Sequence, residues 1–241
     1  MRLEVAPFAG SSVEAVAAPV RDEDAENVDV AASAAAGRAS VNIGTFDLAA
    51  SGGWIYDRYV AGFDAQGPLG GALLRAAVTR VSFRPDDFAD DPDPYVRAMA
   101  DLDYGFAWPW NPYVLVEYHY NGLGEDDPEK YAELAARESF TAAASRGEAV
   151  NLGRHYGAAM ISVMPHPLVT ASATSIVNLL DRGAYAAFVL TGSVVESLEL
   201  QLGANLTFGP IPSEYGGFED PFTGKEYETA DLYYAYLKWY W

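Results

Sequence analysis

Leu198-Glu199-Leu200-Gln201-Leu202-Gly203-Ala204-Asn205-Leu206-Thr207-Phe208 is the stretch that decides the fold. Its even positions carry Leu198, Leu200, Leu202, Ala204, Leu206 and Phe208, and its odd positions Glu199, Gln201, Gly203, Asn205 and Thr207. Successive side chains leave a pleated strand on opposite sides, so this alternation predicts a β-strand with one apolar and one polar face. Eleven residues suffice to cross a bilayer when the strand is tilted.

The same pattern recurs along the chain. Val96, Ala98, Ala100, Leu102, Tyr104 and Phe106 alternate with Arg97, Met99, Asp101, Asp103 and Gly105. Val114, Val116, Tyr118 and Tyr120 alternate with Glu117, His119 and Asn121. Val169, Ala171, Ala173, Val177 and Leu179 oppose Thr170, Ser172, Thr174 and Asn178. Turn residues between such runs predict about thirteen strands, near 2–7, 12–19, 28–36, 39–50, 53–63, 71–83, 94–107, 112–122, 152–163, 168–180, 184–194, 198–208 and 230–241. The stretch from His155 to Leu180 has no charged residue, but Met164-Pro165-His166-Pro167 in its middle predicts a tight turn between two strands rather than a membrane helix.

Four connectors are long: 20–27, 84–93, 123–150 and 209–229. They are the second, sixth, eighth and twelfth connections, so they all emerge on one side. Long loops on one side and short turns on the other are the habit of outer-membrane barrels. The four connectors hold 21 of the 34 acidic residues and 6 of the 15 basic ones, which places most of the net charge of −19 in them. Asp127-Pro128 is a helix-start signal, and Tyr131 to Ser145 is Ala-rich, so the third connector is expected to contain a helix. That helix lies either on the loop surface or folded into a pore as a constriction.

Composition narrows the function classes. The chain has 241 residues and no cysteine, which removes disulfides, thiolate zinc sites and cysteine nucleophiles. A net charge of −19 argues against wrapping nucleic acid. With half its residues hydrophobic and 13% aromatic, the chain is far from a disordered composition. Met1-Arg2-Leu3-Glu4-Val5 lacks the basic and apolar regions of a signal peptide.

The chain closes on Tyr233, Ala235, Leu237, Trp239 and Trp241 at alternate positions, with a terminal aromatic. This resembles the C-terminal assembly signal of bacterial outer-membrane barrels, and the resemblance implies recognition by the barrel-assembly machinery. The stretches Tyr113 to Gly124, Leu152 to Tyr156, Leu206 to Gly209 and Ser213 to Gly216 resemble poorly characterised porin-like outer-membrane proteins. Such proteins begin with a signal peptide and further strands ahead of a segment like this one. Even strand numbers keep both termini in the periplasm, whereas thirteen strands leave Met1 on the other side. The expectation is therefore a single barrel domain over 1–241, truncated at its N-terminus or with one short strand fewer.

Strand parity places Arg97, Asp101, Asp103, Glu117, His119, Arg154, Glu199 and Lys238 toward the lumen. Both signs occur, so selectivity does not follow from this set. The histidines His119, His155 and His166 are not at metal-ligand spacing. No Gly-x-Ser-x-Gly elbow occurs, Gly67 to Gly71 lacks the Lys-Ser/Thr of a phosphate loop, and Asp86, Asp87, Asp90, Asp91 and Asp93 lack calcium-loop order. No catalytic residue, metal or cofactor is therefore expected. The leading reading is an all-β, antiparallel transmembrane barrel of a Gram-negative outer membrane. Its expected partners are lipid, lipopolysaccharide and small solutes that diffuse through passively. A filled structural or ligand-binding barrel, a soluble acidic β-sandwich and an outer-membrane hydrolase are the rivals, in that order.

Overall fold

A computed structural model describes residues 1–21, 28–56, 58–84, 93–148, 151–220 and 223–240. The strands are β1 (Arg2–Val5), β2 (Ser11–Arg21), β3 (Val28–Ile43), β4 (Phe46–Ile55), β5 (Arg58–Leu69), β6 (Ala72–Phe83), β7 (Tyr95–Gly105) and β8 (Tyr113–Asn121). They continue with β9 (His155–His166), β10 (Val169–Asn178), β11 (Ala184–Val195), β12 (Leu198–Phe208), β13 (Gly217–Glu219), β14 (Glu226–Glu228) and β15 (Leu232–Trp239). Thirteen of them form one sheet in the order β1 to β12 and then β15, while β13 and β14 form a separate hairpin. The order is open, with β1 and β15 at its two ends. The fold is all-β and mainly one antiparallel sheet.

Two compact units make up the chain: Met1–Ala100 with Tyr120–Leu123 and Glu133–Val150, and Asp101–His119 with Gly124–Ala132 and Asn151–Trp241. In the first unit the ladders of β1 to β6 set Glu14 opposite Arg38, Arg38 opposite Ser51, and Ser51 opposite Gly62. In the second, Leu190 stands opposite both Ala171 and Leu202, and Leu202 opposite Ala235. Directly opposed residues share a face. Each unit thus keeps a continuous polar face and a continuous apolar face from strand to strand.

Three boundaries differ from the alternation reading. Gly37-Arg38 and Ser51-Gly52, expected between strands, lie inside β3 and β4, and the chain turns instead at Gly44, where φ is +66°, and at Tyr56, where φ is +57°. Gly53 is a packing glycine: a Cβ there would collide with the Ala35 carbonyl on β3. At Gly53 the missing side chain thus lets β3 and β4 approach closely. The tight turn expected at Met164 to Pro167 begins later, because β9 runs on to His166. The ladder shifts register between Val169 and Ala171, so Pro165 sits at a bulge, where its missing N–H leaves no ladder bond unmade. The connector 209–229 carries the β13–β14 hairpin.

The helix expected after Asp127-Pro128 is present in broken form. A single 3₁₀ turn, Pro128–Lys130, leads into α1 (Tyr131–Ala136) and, after Arg137, α2 (Glu138–Ser145). Asp127 caps the start by accepting the Glu129 N–H at 3.1 Å. Leu134, Ser139, Phe140 and Ala143 are buried, so one side of this segment is packed rather than solvated.

Candidate functional site

Several charged and amide side chains are covered while many large apolar ones on the main sheet are exposed. Among the described residues the largest fully buried side chains are Arg58, Leu134, Asn178 and Ser139. Arg58 is 2% exposed and Asp101 4%, whereas Phe63 is 48% exposed and Phe188 46%. Phe63 and Phe188 lie on β5 and β11, each paired on both sides, so their exposure is not an edge effect. On β7 the pattern repeats residue by residue: Val96, Leu102 and Tyr104 are exposed, Arg97 and Asp103 half-buried and Asp101 buried. Leaving one large apolar side chain in water forfeits about 1.5–3 kcal/mol. A whole face of them requires an apolar medium or a partner to cover it.

The sequence-derived lumen residues fall as follows. In the first unit, Arg97 holds its guanidinium 5.3 Å from the Tyr95 ring centre and donates to the Tyr95 hydroxyl at 3.3 Å. In the second, Asp101, Asp103, Glu117 and His119 alternate with exposed apolar neighbours, and the His119 ring lies 6.5 Å from that of Tyr156. Glu199 and Lys238 are directly opposed on β12 and β15 and form an ion pair at 2.9 Å. Arg154 stands just before β9, outside the strand. It donates to the Gly124 carbonyl at 2.9 and 3.0 Å and to Asp126 at 2.6 Å, clipping the connector to the entry of the strand. Tyr233, Leu237 and Trp239 share the apolar face of β15 opposite Ala204, Leu200 and Leu198. Trp241 lies outside the described residues, as do Asp86, Asp87, Asp90 and Asp91.

The polar face of β3 to β7 in the first unit carries a cavity of about 250 Å³ lined by Arg38, Asp47, Asp64, Gln66, Arg75 and Met99, among others. Arg38 reaches both Asp64 oxygens, at 2.5 and 3.0 Å. Asn42 and Gln66 both donate to Asp47. At the other end of β5, Arg58 forms an ion pair with Glu148 and lies 5.3 Å from the Phe83 ring centre. Arg58 is even-numbered, like Asp64 and Gln66 on the same strand, so Glu148 is tied to the polar face.

In the second unit a buried cluster had no announcement in motif form. Asn178, fully buried at the end of β10, donates its amide to Tyr131 (2.9 Å), Asp181 (3.1 Å) and Glu214 (2.9 Å). Glu214 also accepts from the Tyr156 hydroxyl at 2.5 Å and the Leu152 N–H at 3.0 Å. Asp181 accepts the N–H groups of Gly183 and Glu214, at 2.6 and 2.8 Å. Burial pushes the Glu214 carboxyl above its ordinary value, more than its donors pull it down. Burial likewise raises the Tyr131 phenol to about 12, and it raises Tyr215. These bonds fasten the end of β10, the entry to β9, the helical connector and the connector after β12 to one another.

Two stretches singled out in the sequence, Leu152 to Tyr156 and Ser213 to Gly216, meet in this clasp. Asn178 was legible only as one polar residue in an alternating strand, and Arg58 and Glu148 carried no signal of pairing. Among the described residues no group of three His, Asp or Glu is placed to hold a metal ion. No family model matches the chain, and no curated protein is significantly similar to it.

Proposed function

We propose that the chain belongs to a porin-like bacterial outer-membrane β-barrel that lets small solutes diffuse passively along its polar face. The observation that carries this reading is the inverted burial of the sheet, with apolar side chains outward and charged ones covered. Lipid is the medium that makes such a face stable, and a closed barrel is the way a sheet satisfies its edges there. The aromatics on the outward face support the same reading. Trp54, Tyr59 and Tyr233 lie toward the long-connector side, and Phe46 and Trp239 toward the short-turn side, as in the two interfacial girdles of a barrel. A sandwich would divide its strands between two packed sheets, whereas here thirteen follow one another in a single order.

With neighbours antiparallel, thirteen strands leave the first and last running in the same direction. Closing an all-antiparallel barrel takes an even number of strands, so these thirteen do not close on themselves in that pattern. Tyr131 and Glu148, near the two ends of the helical connector, each bind a residue of the polar face in their own unit, Asn178 and Arg58. This favours a connector folded inward as a constriction. Its buried Leu134 and Phe140 equally suit a filled barrel, which is the second reading.

The test is reconstitution of the full-length protein in planar bilayers. Stepwise conductance supports the channel; flotation with vesicles without conductance supports the filled barrel. A protein that stays in buffer without detergent refutes both.

A further inference from the structure

Among the charged residues that β1 to β6 carry in regular register, Arg80 alone stands on the apolar face. The others, from Glu14 and Arg38 to Asp64 and Arg75, are on the polar face. Arg80 is exposed, and no ion pair reaches it among the described residues. It opposes Ala61, which opposes Gly52, then Gly37, Ala15 and Leu3 on successive strands. Along this same row runs an apolar furrow of about 420 Å³, floored by Ala15, Gly37 and Gly52 and walled by Leu3 and Trp54. Gly52 is two strand spacings from Arg80, about 10 Å. The aliphatic stem of an arginine lies comfortably along apolar surface while its head seeks a polar partner.

We propose that Arg80 and this furrow bind a phosphorylated acyl lipid in the leaflet on the long-connector side. The guanidinium takes the phosphate and one acyl chain lies in the furrow. Charge complementarity selects the occupant: the planar fork of Arg pairs with phosphate oxygens two at a time. An unpaired cation on a lipid-facing surface needs such a partner. Its level fits as well, three residues short of the end of β6 and close in register to Trp54, Tyr59 and Ser82, where headgroups begin. This inference rests on the membrane reading above.

The test reconstitutes the full-length protein into phosphatidylcholine vesicles doped with lipid A or, separately, phosphatidylglycerol. Retained lipid is then counted by native mass spectrometry. Wild type is expected to retain the phosphorylated lipid, lipid A more than phosphatidylglycerol. Arg80→Leu should lose about tenfold in retention and Arg80→Lys should recover part of it. Gly52→Val leaves the charge in place and fills the furrow; a Cβ there meets only the Val60 carbonyl at an ordinary 3.5 Å, and retention should again fall. Inorganic phosphate alone should not displace the lipid, and displacement by it refutes the acyl-chain part. Equal retention by wild type and Arg80→Leu, both floating with the vesicles, overturns this inference alone. Failure of wild type to float overturns the membrane reading and this inference with it.

Discussion

Glu214 accepts the Tyr156 hydroxyl at 2.5 Å, fixing the connector after β12 to the first residues of β9. The same carboxylate takes the Asn178 amide and the Leu152 N–H, so three segments converge on one side chain.

Replacing Glu214 by Ala should therefore free the 209–217 segment. It strips the Tyr156 hydroxyl and the Leu152 N–H of their acceptor, each costing about 1–3 kcal/mol if left buried without a partner, while the Asn178 amide keeps Tyr131 and Asp181. Tyr156→Phe removes two bonds, the one given to Glu214 and the one accepted from the Gly153 N–H, and should cost about 2 kcal/mol. Limited proteolysis across 209–217 is expected to rank Glu214→Ala, which loses the side chain reaching in from that segment to Tyr156 and Leu152, above Tyr156→Phe, and Tyr156→Phe above wild type. Equal cleavage of all three would show that the clasp does not hold the segment.

The clasp should also loosen in alkali. Tyr131 has a folded pKa of about 12 against an ordinary 10.0, so its contribution is fully present below pH 10 and is lost as pH rises toward 12. Glu214 acts in the same sense at lower pH. Its raised carboxyl stabilises the fold most at and below its ordinary 4.5 and less as pH climbs through the raised value. Thermal unfolding of wild type minus that of Tyr131→Phe, followed from pH 9 to 12, should shrink with pH. A difference that grows with pH would contradict the assigned environment.

Arg58 and Glu148 make an asymmetric prediction. Glu148→Gln removes the carboxylate partner of a guanidinium that is only 2% exposed, and breaking such a pair typically costs about 3–5 kcal/mol. Arg58→Met removes the buried charge itself and should be milder. If the helical connector narrows the pore, both variants should raise single-channel conductance, Glu148→Gln the more. Unchanged conductance in a folded Glu148→Gln protein would place the connector outside the conduction path.

Gly53→Val tests the reading of β3 against β4. A side chain there must push the Ala35 carbonyl away, so the variant should lose stability by more than 2 kcal/mol despite the higher strand propensity of valine. Gly44→Val, at a turn with φ of +66°, is strained for a different reason, its backbone conformation. Denaturant midpoints of the two variants, with unchanged circular dichroism of the folded baseline, check both.

The strands were legible because period two is a local property. Leu198 to Phe208 announces its two faces without reference to anything else in the chain, and its observed strand has the same bounds. Where the local signal was ambiguous it misled: Gly37 and Gly52 look like turn formers, and only the pairing of β3 with its neighbours shows that they lie inside strands. The helix start at Asp127-Pro128 was likewise visible from its cap, but not the break at Arg137.

Sequence alone thus determined the element type, the number of strands in the main sheet and the concentration of acidic charge in four connectors, because alternation and composition need no partner. Tertiary structure decided which polar residues are covered and with what. Asn178, Asp181 and Glu214 lie up to 36 residues apart and meet only once β9, β10 and the connector after β12 are in place. Arg58 and Glu148 meet across 90 residues. No periodicity encodes such meetings, since a hydrogen bond depends on the register of strands that the chain itself brings together.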